Sequence, residues 1–229
     1  MSELVLSVQN LNKSFESEAE TLHILKGINL QIHAGEVVAI QGPSGCGKST
    51  LISIIAGLDH FDSGDFEVMS VSPKKLSARK WNSFRAQNIG IIFQQFHLLE
   101  HLTAFENVRL PLDLAENPNA DILATEALEK VGLAQRKNHF QRELSRGECQ
   151  RVAIARVLVM KPKLILADEP TASLDQKTGK EISEQIFKLA KNENIAVLMV
   201  THDPGIARLC DRHYLMSEGQ LSLSKKSDL

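Results

Sequence analysis

The sequence predicts an α/β protein with a largely parallel sheet and a helical insertion. Three observations carry that prediction. Short apolar runs alternate with helical patterns along the chain, as βαβ units require. An apolar run at 37–41 passes through a glycine-rich turn into a helix. The stretch from Gln94 to Met160 holds helix and loop signals but no convincing strand, and the flanking parts hold all the strands.

Taken in chain order, strands are expected at 4–8, 37–41, 89–93, 164–167 and 196–201, with a further one at 212–216. Ser217-Glu218-Gly219-Gln220 reads as a turn. Helices are expected at 48–56, 121–131, 148–159 and 177–189. In the second of these, Ile122, Leu123, Ala127, Leu128 and Val131 fall at helical spacing. No internal repeat or low-complexity linker interrupts the pattern, so one nucleotide-binding core with an inserted helical part is expected, not two linked domains.

The 229 residues suffice for a sizeable core. Hydrophobic residues make up 43% and charged residues 24%, which excludes a disordered or collagen-like chain. A formal net charge of -2 gives no global positive field for nucleic acid or an anionic membrane. Cys46, Cys149 and Cys210 show no metal-ligand spacing and read as reduced thiols of a cytosolic protein. The first residues lack the pattern of a secretory signal, and no window approaches the roughly 18 apolar residues of a membrane span.

The chemistry is concentrated in a few short motifs. Gly42-Pro43-Ser44-Gly45-Cys46-Gly47-Lys48-Ser49 fits G-x-x-x-x-G-K-[ST] between a strand and a helix. By chance the bare pattern appears in roughly one chain in a hundred of this size, so the strand before it and the helix after it decide the assignment. The glycines let backbone N–H groups curl around phosphate oxygens, and Lys48 is expected to reach the β- and γ-phosphates and the Ser49 hydroxyl to ligate Mg²⁺. Thr50 continues the binding segment. The helix start adds roughly half a positive charge. Leu164-Ile165-Leu166-Ala167-Asp168-Glu169 is a buried-type strand ending in two carboxylates. Ligands of α/β sheets sit at carboxyl ends of strands, so Asp168 is expected to hold Mg²⁺ and Glu169 to polarise the attacking water as general base.

Leu144-Ser145-Arg146-Gly147-Glu148, followed by Cys149-Gln150-Arg151-Val152-Ala153-Ile154-Ala155-Arg156, resembles the signature of ATP-binding cassette (ABC) ATPases. The phosphate loop, Gln94, the signature, Asp168-Glu169, Ser173-Leu174-Asp175 and Thr201-His202-Asp203 all occur in that family's order. The resemblance implies a single ABC domain over 1–229: a P-loop NTPase (RecA-like) core at 1–93 and 161–229, a helical subdomain at 94–160, and an N-terminal antiparallel β portion. It also implies a head-to-tail dimer that sandwiches two ATP molecules. Ser145, the backbone at Gly147 and Glu148 would then face the γ-phosphate held by the other copy. Gln94 would contact Mg²⁺ or water, His202 the γ-phosphate and Glu169, and Asp175 the dimer seam. Phe15 matches an adenine-stacking aromatic.

The commonest signature of the family is Leu-Ser-Gly-Gly-Gln, so Arg146 and Glu148 depart from it. If position 146 needs positive φ, Arg146 costs about 1–2 kcal/mol. Alternatively its guanidinium attracts phosphate, or it turns to solvent as a tolerated substitution. Cys46, near a helix start and Lys48, is a candidate for alkylation that blocks ATP binding.

Ile91-Ile92-Phe93-Gln94-Gln95-Phe96-His97-Leu98-Leu99, Glu106-Asn107-Val108 and Cys210-Asp211-Arg212 are similar to the small cassettes of lipoprotein-releasing (LolD-like) and macrolide-export (MacB-like) systems. That resemblance implies an ATPase subunit on the cytoplasmic face of the inner membrane, peripheral, with permease subunits docking near the loop after Gln94 and no nucleic acid bound. A soluble ABC ATPase of DNA repair or translation is the alternative. It would call for coiled-coil or tandem-cassette insertions and a basic patch, which this sequence lacks. A switch without turnover would not need both Glu169 and His202.

Overall fold

The computed structural model describes residues 2–16 and 20–224. Among them are strands β1 (Leu4–Glu16), β2 (Thr21–His33), β3 (Val37–Gln41), β4 (Ser63–Val68), β5 (Ile89–Ile92), β6 (Leu164–Asp168), β7 (Ala196–Val200), β8 (Arg212–Ser217) and β9 (Gln220–Ser224). The helices are α1 (Lys48–Ile55), α2 (Ala78–Asn88), α3 (Ala104–Leu114), α4 (Ala120–Lys130), α5 (Arg146–Leu158), α6 (Gln176–Asn192) and α7 (Pro204–Ala207).

The larger sheet has the order β5-β6-β7-β3-β8-β9. All its pairings are parallel except β8 with β9. Its strands divide their side chains between two cores. Val37 and Ala39 of β3, and Val197 and Met199 of β7, pack with Val108, Leu128, Val152 and Ile186 from α3 to α6. Val38 and Ile40, with Leu198 and Val200, pack with Leu51 and Ile55 of α1 and with Leu6, Ile28 and Phe66. Both faces are covered, which is why these strands read as unbroken apolar runs. Each fully buried Val, Leu or Ile stabilises the fold by about 1.5–3 kcal/mol relative to exposure.

The second sheet is antiparallel, in the order β2-β1-β4. It is the N-terminal antiparallel portion that the resemblance implies, although the residue pattern named neither β2 nor β4 and β1 runs eight residues beyond the predicted 4–8. The reason lies in its pattern. β1 buries Val5, Leu6, Ser7 and Val8 in succession, the β1–β2 register slips four times, and Asn10 adopts φ 46. Bulges of this kind erase strict alternation. The β9 strand was also missed, because its half-exposed residues follow the predicted turn.

The expected helices appear with shifted ends, and α2, α3 and α7 are additional. Pro111 sits inside α3, which hid that helix from pattern reading. Its start is nonetheless encoded: the Thr103 hydroxyl accepts from the Glu106 N–H, and the Glu106 carboxylate accepts from the Thr103 N–H. In α4, Ile122 faces solvent at 61% exposure, contrary to the expected apolar stripe. Ala120, Ala124, Ala127 and Leu128 form the buried side instead.

Candidate nucleotide site

The sheet register builds the site. Ile40, Val200 and Asp168 stand in one row across β3, β7 and β6. The Thr201 N–H donates to the Ile40 carbonyl (3.2 Å) and the Glu169 N–H to the Val200 carbonyl (3.0 Å). The three strands therefore end together, and whatever follows each one emerges on the same edge. After β3 comes the phosphate loop, after β6 Glu169, and after β7 His202.

The loop closes at Gly47, the residue before α1, with φ 108. That backbone region suits glycine and strains other residues. No side chain caps α1, so its first N–H groups face the loop. The buried Lys48 ammonium donates to the carbonyls of Gly42 (2.9 Å) and Pro43 (2.8 Å), and lies 3.8 Å from Cys46 Sγ. The Ser49 hydroxyl donates to Asp168 Oδ1 at 3.1 Å, across 119 residues of sequence. Burial pushes the Asp168 carboxyl up from its ordinary value, partly opposed by that hydrogen bond.

Glu169 adopts φ 46, a strained conformation for a glutamate, of the kind held at functional sites. Its Oε2 lies 3.4 Å from His202 Nδ1. Gly42, Ser44, Gly45, Gly47, Lys48, Ser49, Thr50, Glu169 and His202 line one recess, together with Ile24 of β2. Sequence reasoning missed Ile24 because it missed β2. A neighbouring recess shares Glu169 and His202 and adds Asp175. Asp175 caps α6, and the hydrogen bonds from Thr178 hold its carboxyl below the usual range.

Other predicted residues stand apart from this recess. Gln94 is exposed and lines a third recess with Gln95, His97, Glu100, Gln141, Arg146 and Ser173. It is not brought together with Ser49 and Asp168 there. Phe15, the penultimate residue of β1, is 45% exposed, with the Lys13 ammonium 4.7 Å from its ring centroid. The signature sits at the start of α5. The Ser145 hydroxyl accepts from the Glu148 N–H (3.2 Å), and Glu148 accepts from the Ser145 N–H (2.8 Å) and from Arg136 Nε (3.0 Å). The Ser145 N–H, first among these contacts, holds the Glu148 carboxyl below its ordinary value. Glutamate at the fifth position thus completes a capping box.

Arg146 is the first residue of α5 and has no positive φ, so the expected strain at this position does not arise. Its guanidinium donates to the Ser173 carbonyl at 3.4 Å. Gly147 has a packing reason: a Cβ there would stand 2.9 Å from Thr178 Cγ2 of α6. Cys46, Cys149 and Cys210 are all free thiols.

A lysine-bearing loop on a helix start, with carboxylates at neighbouring strand ends, defines a P-loop nucleotide-binding fold. A sequence profile of the ABC transporter family matches residues 25–172. The lipoprotein-releasing system ATP-binding protein LolD 1 of Rhodopirellula baltica is 42% identical over 219 residues, which is 95% of this chain and 96% of that protein. The uncharacterized ABC transporter ATP-binding protein YvrO of Bacillus subtilis is 42% identical over 227 residues, covering 98% and 99%. A dimeric post-hydrolysis state of the ATP-binding cassette MJ0796 bound to ADP and Pi superposes with TM-score 0.87 at 37% identity, covering 96% of this chain and 98% of that one. The chain belongs to the ABC transporter family, as an ATP-binding, ATP-hydrolysing transporter subunit.

Proposed function

We propose that this chain hydrolyses MgATP in a head-to-tail homodimer and thereby drives membrane permease subunits in lipoprotein release or a related export. The observation that carries the reading is the gathering of Lys48, Ser49, Asp168, Glu169 and His202 at one sheet edge, with Ser145 and Gly147 away from it. A site so divided is completed by the α5 start of a second copy. The phosphate loop and α1 hold the phosphates, and Lys48 exchanges its two loop carbonyls for phosphate oxygens. The Ser49 hydroxyl and Asp168 carboxylate are hard oxygen donors side by side, a set that suits Mg²⁺. Held by Ser49 and Asp168, Mg²⁺ would supply neutralisation of developing phosphate charge. Glu169 accepts the proton of the attacking water, and His202 orients Glu169 and contacts the γ-phosphate. Gln94 reports nucleotide state from its own recess, Asp175 lines the dimer seam, and Phe15 stacks on adenine.

The core at 1–93 and 161–229 then binds nucleotide, while the helical part at 94–160 presents the loop after Gln94 to the permease. LolD-named relatives and the dimeric cassette structure support this assembly. Among the described residues no helix is long and apolar enough to cross a membrane, so attachment through a permease on the cytoplasmic face accounts for a membrane role. The test is affinity purification of the tagged chain from detergent-solubilised membranes, with ATP added. Co-purification of a permease with a large periplasmic domain is expected. Recovery of soluble proteins alone overturns the assignment to export.

A further inference from the structure

The loop after Gln94 is held by two side chains from different helices. From α3, the buried Asn107 amide accepts from the Leu99 N–H (2.8 Å) and donates to the carbonyls of Leu99 (3.1 Å), Leu102 (3.2 Å) and Thr103 (3.0 Å). From α5, Arg156 donates through Nη1 to the His97 carbonyl (2.6 Å) and through Nη2 to the Phe96 carbonyl (2.9 Å). No other described side chain bonds those two carbonyls.

Arg156 has no carboxylate partner among the described residues, and burial pushes its guanidinium pKa down. Its charge is therefore accommodated by the loop backbone. His97 adopts φ 46, a left-handed conformation that persists when its surroundings hold it. The planar fork of an arginine fixes two carbonyls at once, which a lysine point charge does not.

Arg156 and the signature share one helix. Ten residues separate Arg146 from Arg156, roughly 15 Å along α5. We propose that Arg156 is a positioning residue that ties the Phe96–His97 turn to α5, so that displacement of the signature end moves this turn against the half of the loop anchored by Asn107. The inference rests on the reading of the α5 start as nucleotide-facing across a dimer. It adds the link by which that event reaches the loop after Gln94.

Hydrogen exchange of the full chain carrying Glu169→Gln, with and without MgATP, tests this, with size-exclusion chromatography of the same samples. The parent is expected to dimerise with MgATP and to show roughly tenfold slower exchange in the peptide spanning 93–103. Adding Arg156→Gln should leave the dimer and abolish that slowing. Arg156→Lys, which keeps the charge and is the safer variant for folding, should retain less than about half of the effect. A purely structural arginine would alter exchange equally with and without nucleotide, and that result overturns the proposal. Full slowing in either variant, or a parent dimer without slowing at 93–103, overturns it too. Absence of a parent dimer breaks the dimer reading first, and this proposal with it.

Discussion

The strand-end edge and the start of α5 differ in completeness. At the edge, groups far apart in sequence already touch: Ser49 with Asp168, and Glu169 beside His202. At α5, Ser145 and Glu148 satisfy each other and Arg136, and no phosphate-loop residue lines the same recess. The first region is organised by the sheet and needs only its own chain. The second is a well-capped helix start, and under the proposed function its chemistry requires another molecule. One chain therefore binds nucleotide, while turnover is expected to depend on chain concentration.

The sharpest way to break this contrast is Glu169→Gln. Loss of a general base should lower hydrolysis by about 10²–10⁴ and trap an ATP-bound dimer, read by phosphate release and size exclusion. Wild-type turnover would remove Glu169 from its role. Alkylation of Cys46 tests the complete region next. It should prevent ATP binding, and MgATP should protect the thiol; equal labelling with and without MgATP would place Cys46 outside the bound phosphates.

Gly147→Val tests the incomplete region. The added side chain meets Thr178 Cγ2, so stability should fall by about 1–3 kcal/mol, with the midpoint of thermal unfolding dropping accordingly. Thr178→Ala should restore much of the loss. If it does not, the α5–α6 contact is not the cause.

Glu148 gives a pH prediction. Its carboxyl is held below its ordinary value of 4.5 by the Ser145 N–H, then by Arg136. A depressed acid contributes stability that is full above the ordinary value and is lost as pH falls through the folded value. Glu148→Gln should thus flatten the decline of thermal stability below pH 4.5. An unchanged acid limb would contradict the capping role. The smallest effect is expected of Arg146→Gly, since Arg146 is helical and makes one long hydrogen bond. Hydrolysis should change less than about tenfold, the equivalent of about 1.4 kcal/mol. A larger change would make Arg146 a phosphate-facing group.

Legibility in the sequence followed locality. The phosphate loop was readable because strand, turn and helix follow one another, and β3 appears at its predicted limits, Val37–Gln41. The β6 strand and its two carboxylates were readable for the same reason, as a buried strand needs only a short apolar run. The antiparallel sheet was expected only through the family resemblance, because its bulged strands carry no such run, and Ile24 was lost with the unread β2. The α3 helix was masked by Pro111 although its capping box was present.

The sequence by itself determined the reactive residue types and their order, because the loop and its helix are encoded by neighbours. Only the tertiary structure decided who meets whom. Ser49, on the helix after β3, reaches Asp168 because the β6-β7-β3 order leaves a single strand between β3 and β6, and strand order is a matter of nonlocal pairing. Gly147 owes its requirement to Thr178, and the loop carbonyls of Phe96 and His97 owe their partner to Arg156, some sixty residues away. Such contacts depend on how helices pack across the sheet, which a linear pattern does not record.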